Sequence, residues 1–453
     1  MEVTAPARLG LFTDLYELTM LQAYHQENMA GMAVFSLFVR RLPEQRNFLL
    51  ACGLESVLSW LEQLRFTDDD IAYLRSLSLF SPGFLEWLGR FRFAGDVYAV
   101  PEGTPVFANE PILEIAAPIA QAQVVETFVM NQVTVQTVLA SKAARIVQAA
   151  QGRKVVDFGV RRAHGIDAGL KGARAFYIAG VHATSNVLAG RLYGIPVAGT
   201  MAHSYVQAHV DEREAFRAFA RMFPGTVLLV DTYDTLEGVR HVVELEKGTP
   251  GSAIGAIRLD SGDLASLAAE SRRILDAAGL QRIEILASGG LDEYEIAALL
   301  RAGAPIDGFG VGTSLAVSND APDLDIVYKL SEYAGRGRTK LSTDKPILPG
   351  RKQAFRRELD GRSVGDVIAR SDEGQEGRPL LRLVMRAGTR TLEADGSLQS
   401  ARQRAVQELS ALPPSVLGLE WADPPYPVAV SAALERYHAE VRASVGTRRS
   451  GAD

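Results

Sequence analysis

Apolar and polar positions recur in three different ways along this chain. Over the first 95 residues they fall mostly at helical spacing. In "LESVLSWLEQLRF" (54–66), Leu54, Val57, Leu58, Leu61 and Leu64 share one face, which is the pattern of an amphipathic helix laid on a core. "LTMLQAYHQENM" (18–29) reads as a second helix. Residues 94–118, "AGDVYAVPEGTPVFANEPILEIAAP", break into short β-rich runs punctuated by Pro and Gly, predicting a small sheet of tight strands. A long helix is predicted through "AQVVETFVMNQVTVQTVLASKAARIVQAA" (122–150), with Gly152 as its stop.

The texture changes from residue 154. Short apolar runs recur every 20–30 residues: "KVVDFG", "FYIAG", "IPVAGT", "TVLLVD", "GAIRLD", "IEILASG" and "GFGVGT". Helical stretches such as "SLAAESRRILDAAG" and "DEYEIAALLRAG" lie between most of them. Strands alternating with helices imply right-handed parallel crossovers, hence an α/β sheet or barrel. After 335 the chain turns basic and turn-rich, "GRGRTKLSTDKPILPGRKQAFRR", and then carries strand-like pieces and one helix. The ending "GTRRSGAD" predicts a disordered tail from about 446.

Composition narrows the class. At 453 residues the chain is too long for one ordinary core, so two domains are expected. Charged residues make up 23% and the formal charge is −6, which argues against nonspecific nucleic-acid binding and leaves room for a local anion pocket. A single cysteine, Cys52, excludes an intramolecular disulfide and fits a reducing, cytoplasmic setting as a buried small hydrophobe. No basic start with a long apolar run, and no uncharged stretch of about 18 apolar residues, marks a signal peptide or a membrane span.

The chemistry gathers behind the recurring strands. Their ends carry Asp157 and Arg161; Thr184, Ser185 and Asn186; His203 and Ser204; then Asp231 and Asp234. Arg258, Asp260 and Asp263 follow, then Ser288, Gly289 and Gly290, and last Gly312, Thr313 and Ser314. In a (β/α) barrel such ends converge on one face, where active sites form. Helix caps account for some of the Ser, Thr and Asp, but not for Arg161, His203 and Arg258. "LASGG" (286–290) and "GVGTS" (310–314) expose backbone N–H groups on neighbouring late strands, as a phosphate cradle requires. "IRLDSGDL" (257–264) sets Arg258 to meet a phosphate or pyrophosphate, with Asp260 or Asp263 toward a ribose hydroxyl or hydrated Mg²⁺. For Asp263, a plain helix cap is the standing alternative.

His203 stands among only seven histidines. His209, at i+6, does not supply the i, i+4 pair of a helix-borne zinc site. Position at a strand end, with Asp231 at the next strand end to orient its imidazole, points to a chemical role.

Read together, "FTDLYELTM", "DFGVRR", "TSNVLAG", "GTMAHSYVQA", "IRLDSGDL", "SGGLDE", "GVGTSL" and "KLSTDKPILPGRKQAFR" resemble, in this order, the nicotinate phosphoribosyltransferases. The resemblance runs from residue 12 to about 357, with an echo in "YPVAVS". It implies an irregular (β/α) barrel of type II phosphoribosyltransferase type plus a second α/β domain built from N- and C-terminal segments. The expected divisions are 1–125, a barrel at 126–335, and 336–453 packing back on the first. The implied reaction joins nicotinate to phosphoribosyl pyrophosphate, giving nicotinate mononucleotide and pyrophosphate for NAD biosynthesis. ATP hydrolysis would be coupled through a phosphohistidine at His203, with Mg²⁺ as cofactor.

By matching motif, Phe158 resembles the aromatic that stacks on the pyridine ring and Arg161 the cation beside it. Tyr16 resembles the residue supplied from a second subunit, which implies a homodimer with shared sites. Ser288, Gly289, Gly290, Gly312 and Thr313 resemble the 5′-phosphate cradle; Arg258 and Asp260 lie near pyrophosphate and ribose. Asp260 and Asp231 are the expected Mg²⁺ contacts, through water. Lys340, Lys345 and Lys352 resemble a basic segment at the site entrance, while Arg40 and Arg41 lie in a looser match. Neutral Ser185 and Asn186 stand where nicotinamide-specific relatives carry an aspartate; an acid there would repel a carboxylate, so nicotinate is the expected base. His164 reads as a solvated loop residue. The alternatives are a member specific for nicotinamide or another heteroaromatic base, and a non-catalytic barrel that binds a phosphoribosyl ligand.

Overall fold

The structure is a computed structural model that describes residues 9–248, 254–341 and 347–450, side chains of 446–450 excepted. The chain forms two compact units: one ends at Val138 and resumes at Asp323, and the other is Leu139–Pro322. These limits differ from the divisions expected at 126 and 335 for two reasons. Helix Glu126–Ala149 runs through the first limit without a break. Strand Ile326–Tyr333 pairs with Met32–Val39 and so belongs to the discontinuous unit.

The Leu139–Pro322 unit carries a parallel sheet of six strands: β1 (Lys154–Asp157), β2 (Ala183–Thr184), β3 (Val227–Leu229), β4 (Ala256–Leu259), β5 (Glu284–Ala287) and β6 (Gly308–Val311). Their spatial order is β2-β1-β6-β5-β4-β3. Aliphatic side chains fill the strands because helices cover a parallel sheet and leave little of it to water; Leu228, Leu229, Ile257, Leu259, Ile285 and Val311 are fully buried.

The sheet curls as a barrel does but stays open. "IPVAGT" supplies only a single bridge, Thr184 to Val197, and among the described residues nothing pairs it with β3. The expected strand at "FYIAG" is the end of helix Ile166–Ile178, and the strand follows it as β2.

The discontinuous unit is built on a seven-stranded sheet in which Met32–Val39 lies between Ile326–Tyr333 and Leu113–Pro118, both antiparallel to it. "MAVFSLFV" escapes the helical reading of the first 95 residues. Ala33 through Val39 are all buried, so no polar alternation marks the strand. Stacked pairs Trp60–Phe128 (4.0 Å between ring centroids) and Phe35–Tyr328 (4.9 Å) anchor its core. The strands expected within 94–118 are present, but not as one small sheet: Asp96–Ala99 and Leu113–Pro118 pair inside the seven-stranded sheet, while Pro105–Val106 pairs with Leu49–Leu50.

At the far end, helix Ala432–Ser450 carries regular backbone past 446, where a disordered tail was expected; 451–453 lie outside the described residues. Among the described residues no helix is long and apolar enough to cross a membrane.

Candidate functional site

The end of β1 is tied down before it meets solvent. The Asp157 carboxylate is buried and accepts hydrogen bonds from the Gly159 amide (2.7 Å) and the Thr184 hydroxyl (2.7 Å). Burial pushes its pKa up, against the pull of these two donors. Thr184 Oγ1 accepts in turn from the Asn186 amide at 3.0 Å. Asn186 is committed to the fold. Its Oδ1 caps helix Val187–Tyr193 by accepting from the Ala189 amide (3.1 Å), and its Nδ2 donates to the Gly169 carbonyl (3.2 Å). Beside it, Ser185 Oγ is buried with no hydrogen-bond partner among the described residues.

Beyond the carboxyl ends of β1, β5 and β6 lies a cavity of about 340 Å³. Phe158 and Arg161 line one side. Ser288, Gly289, Gly290, Gly312 and Thr313 line another, and Asp260 reaches it from the end of β4. The two glycine turns therefore do come together with the aromatic and the cation. Arg162, Gly310 and Asn319 also line the cavity and were missed. Arg162 was legible as the second arginine of "DFGVRR"; nothing in the pattern marks Asn319.

Sterics fix the glycines. Gly289 has φ +89°, and a Cβ there would stand 1.8 Å from the Asp260 carbonyl oxygen. A Cβ on Gly310 would stand 2.4 Å from the Phe158 ring, so this position lets the ring lie against β6. The ring in turn has the Arg258 guanidinium 5.7 Å from its centroid.

Arg258 is held by two hydrogen bonds, from Nη1 to Thr200 Oγ1 (2.7 Å) and from Nη2 to the Met201 carbonyl (3.1 Å). Its Nε is buried with no hydrogen-bond partner among the described residues. Burial pulls its pKa below the ordinary value, and the charges of Asp260 and Asp231 oppose that pull.

His203 opens a short helix, His203–Gln207. Its Nδ1 meets Thr232 Oγ1 at 3.2 Å, and its Nε2 lies 3.8 Å from Asp260 Oδ2. The expectation that Asp231 orients His203 is not met. Asp231 Oδ2 instead accepts from the Asp260 amide (3.0 Å) and the Ser261 hydroxyl (2.7 Å), clamping the turn after β4, and the next residue in the chain, Thr232, reaches the imidazole. Asp231 Oδ1 remains buried, with no hydrogen-bond partner among the described residues. Asp260 Oδ1 accepts from Ser288 Oγ, which links the acidic turn to the glycine turn.

Other expected residues lie elsewhere. Asp263 is the helix cap, accepting from the Ser266 amide (3.2 Å) and hydroxyl (2.7 Å). Lys352 is no entrance cation. It is buried, 3.0 Å from Glu114 Oε1, and donates to the Gly350 carbonyl at 2.7 Å, because a lysine inside the sheet needs an anion more than it needs solvent. Lys340 is exposed, and Lys345 lies outside the described residues. Arg40 and Arg41 pair with Asp325 at 3.6 and 3.2 Å. His164 is exposed and Cys52 buried, both as expected. Tyr16 lies in the discontinuous unit, on helix Leu15–Gln26, half-exposed. Partial burial and then Glu126 push its phenol pKa up. Among the described residues no group of three or more His, Cys, Asp or Glu is arranged to hold a metal ion on its own.

Comparison with known proteins bears on this arrangement. Residues 11–134 match the nicotinate phosphoribosyltransferase N-terminal domain, and residues 153–360 match the nicotinate phosphoribosyltransferase family. Nicotinate phosphoribosyltransferase pncB2 of Mycobacterium tuberculosis is 56% identical over 423 residues, covering 93% of this chain and 91% of the relative. The Bacillus subtilis nicotinate phosphoribosyltransferase is 42% identical over 387 residues, covering 83% and 79%. The crystal structure of human nicotinic acid phosphoribosyltransferase superposes with a TM-score of 0.83 at 29% identity, covering 95% of this chain and 99% of that one. On the match of both domains and the identity sustained along the chain, the protein belongs to the nicotinate phosphoribosyltransferase family.

Proposed function

We propose that this protein joins nicotinate to phosphoribosyl pyrophosphate, yielding nicotinate mononucleotide and pyrophosphate in NAD biosynthesis, and that it couples this to ATP hydrolysis through phosphorylation of His203. The observation that carries the reading is the single cavity in which two glycine turns, an aromatic ring, Arg161 and Asp260 converge. The glycine turns offer amides to the 5′-phosphate. Phe158 offers a face for the pyridine ring, and Arg161 a charge for its carboxylate. Ser185, with its unpartnered hydroxyl, is the polar neighbour available to the base; Asn186 shapes the turn and acts through it.

Loss of pyrophosphate leaves an oxocarbenium-like sugar, so the site must stabilise the departing charge and hold the nucleophile in line. The pyridine nitrogen has no proton to lose and needs no general base. Arg258 faces the leaving group, with its Nε and fixed fork as donors. Asp231 and Asp260 offer carboxylate oxygens, one of them buried and unpartnered, a hard donor set that fits Mg²⁺. Bound there, the ion would neutralise pyrophosphate charge. His203, between Thr232 and Asp260, receives the phosphoryl group from ATP. Tyr16 completes the site from a second subunit of a cytoplasmic homodimer.

The test is nicotinate-dependent pyrophosphate release from phosphoribosyl pyrophosphate, with and without ATP, in wild type and His203→Ala. ATP should stimulate the wild type, and the variant should lose the stimulation while keeping ATP-independent transfer. Nicotinamide working better than nicotinate would overturn the base assignment, and no release with either base would overturn the activity.

A further inference from the structure

A cluster of basic and acidic side chains that do not themselves line the cavity lies inside the Leu139–Pro322 unit. Lys142, on helix Glu126–Ala149, is 1% exposed. Its ammonium lies 2.5 Å from Glu293 Oε2 and 2.8 Å from Asp320 Oδ1. Arg145, one helical turn on, donates from Nε to Glu293 Oε1 at 2.9 Å and from Nη2 to the Tyr294 hydroxyl at 3.0 Å. Two cations thus balance two carboxylates.

The places of the two carboxylates in the chain give the cluster its meaning. Glu293 follows the first glycine turn directly: Gly289, Gly290, Leu291, Asp292, Glu293. Asp320 closes the segment after the second turn, past Ser318 and Asn319. Leu291 and Asn319 both line the cavity. The Ser314 hydroxyl donates to the Leu291 carbonyl, a direct tie between the same two segments. One buried ammonium therefore bridges the roots of both turns. Without it, Glu293 and Asp320 would each lose the ammonium they lie against, and a buried carboxylate deprived of its cation shifts position to find another.

We propose that Lys142 is a positioning residue that sets the spacing of the two glycine turns, so that the affinity of this end of the site for a phosphorylated sugar depends on a side chain that never touches the ligand. This rests on the phosphate-cradle reading above. Lys142 does not line the cavity, and its ion-pair partners follow the two glycine turns, not Phe158 and Arg161, so the effect should be confined to the phosphate.

The experiment is calorimetric binding of ribose 5-phosphate to the full-length protein, with steady-state kinetics alongside. Wild type should bind it. Lys142→Met should weaken binding by about tenfold to a hundredfold, the scale of an ångström of misplacement. Asp320→Asn should weaken it less, and Lys142→Arg should recover most of the loss. The KM for phosphoribosyl pyrophosphate should rise in step with that Kd, while the KM for nicotinate holds.

If Lys142→Met binds ribose 5-phosphate as wild type does while its melting temperature falls, the cluster serves stability only and the inference is overturned. Should Lys142→Met not fold, Asp320→Asn decides in the same way. If wild type itself does not bind ribose 5-phosphate, the cradle reading fails, and the positioning role fails with it.

Discussion

The Arg356 cluster of the discontinuous unit and the strand ends of the Leu139–Pro322 unit use buried polar groups in different ways. In the Arg356 cluster the charges lie inside the fold. Arg356 is fully buried between Asp366 (2.7 Å), Glu408 (3.2 Å) and the Pro105 carbonyl (2.9 Å), and Tyr426 donates to Asp366 at 2.9 Å. Glu110, also buried, is pushed well above the carboxylate range by burial and then by Asp366. In the Leu139–Pro322 unit polar groups sit at strand ends with capacity to spare: Ser185 Oγ, Asp231 Oδ1 and Arg258 Nε lack hydrogen-bond partners among the described residues. Groups whose bonding is used up inside a protein hold its shape. Groups left with unused donors and acceptors beside a cavity are free to bind something else. Substitutions in the Arg356 cluster should therefore cost stability, and those in the glycine turns activity.

The largest effect should come from Arg356→Met. Removing the guanidinium that lies against Asp366 and Glu408 strands the buried Asp366 carboxylate, at a cost of about 3–5 kcal/mol. Urea unfolding should show it as a lower midpoint, while activity per folded molecule stays near wild type. A loss below about 1 kcal/mol would break the contrast between the units. Next comes Gly289→Ala in the other unit. Its φ of +89° and the 1.8 Å approach of a Cβ to the Asp260 carbonyl leave the turn no way to keep its place. The kcat/KM for phosphoribosyl pyrophosphate should fall by about a hundredfold, with a melting temperature much closer to wild type than that of Arg356→Met. Equal losses of activity and stability would show that the turn is part of the core.

The same contrast explains what could be read from the sequence. Polar residues behind aliphatic runs stand out, so the cavity's Arg161, Asp260 and glycine turns were legible, while Phe158 came only with the resemblance of "DFGVRR". The partners were not. Asp231 and Thr232 are adjacent, and only backbone direction decides which of them meets His203. Asn186 and Asp263 look like ligands until their oxygens are found capping helices. Lys352 looks like surface charge until Glu114, 238 residues away, is seen beside it. Strand Met32–Val39, buried on both faces, carries no alternation to read. Openness of the parallel sheet turns on a single bridge at Val197, too short for any pattern to announce.

The smallest effect sharpens the comparison most, because it turns on one proton. Glu17 is fully buried at the start of helix Leu15–Gln26, where its carboxylate accepts from the Thr127 amide (3.1 Å) and from the hydroxyls of Thr127 and Thr13. Burial pushes its pKa from the ordinary 4.5 to about 7, although the bonds from Thr127 and Thr13 pull it down. Between those two values the native chain binds more protons than the unfolded one, so stability falls as pH rises. The contribution is fully present below pH 4.5 and lost on passing through about 7. Glu17→Gln keeps a carbonyl for Thr127 but carries no proton to lose. Its melting temperature should therefore gain on wild type as pH rises from 4.5 to 7.5, by the equivalent of about 1–2 kcal/mol after solvent screening is discounted. Parallel melting curves for the two proteins across that range would mean that Glu17 stays ionised in its pocket, and that the discontinuous unit tolerates buried charge as readily as its partner does.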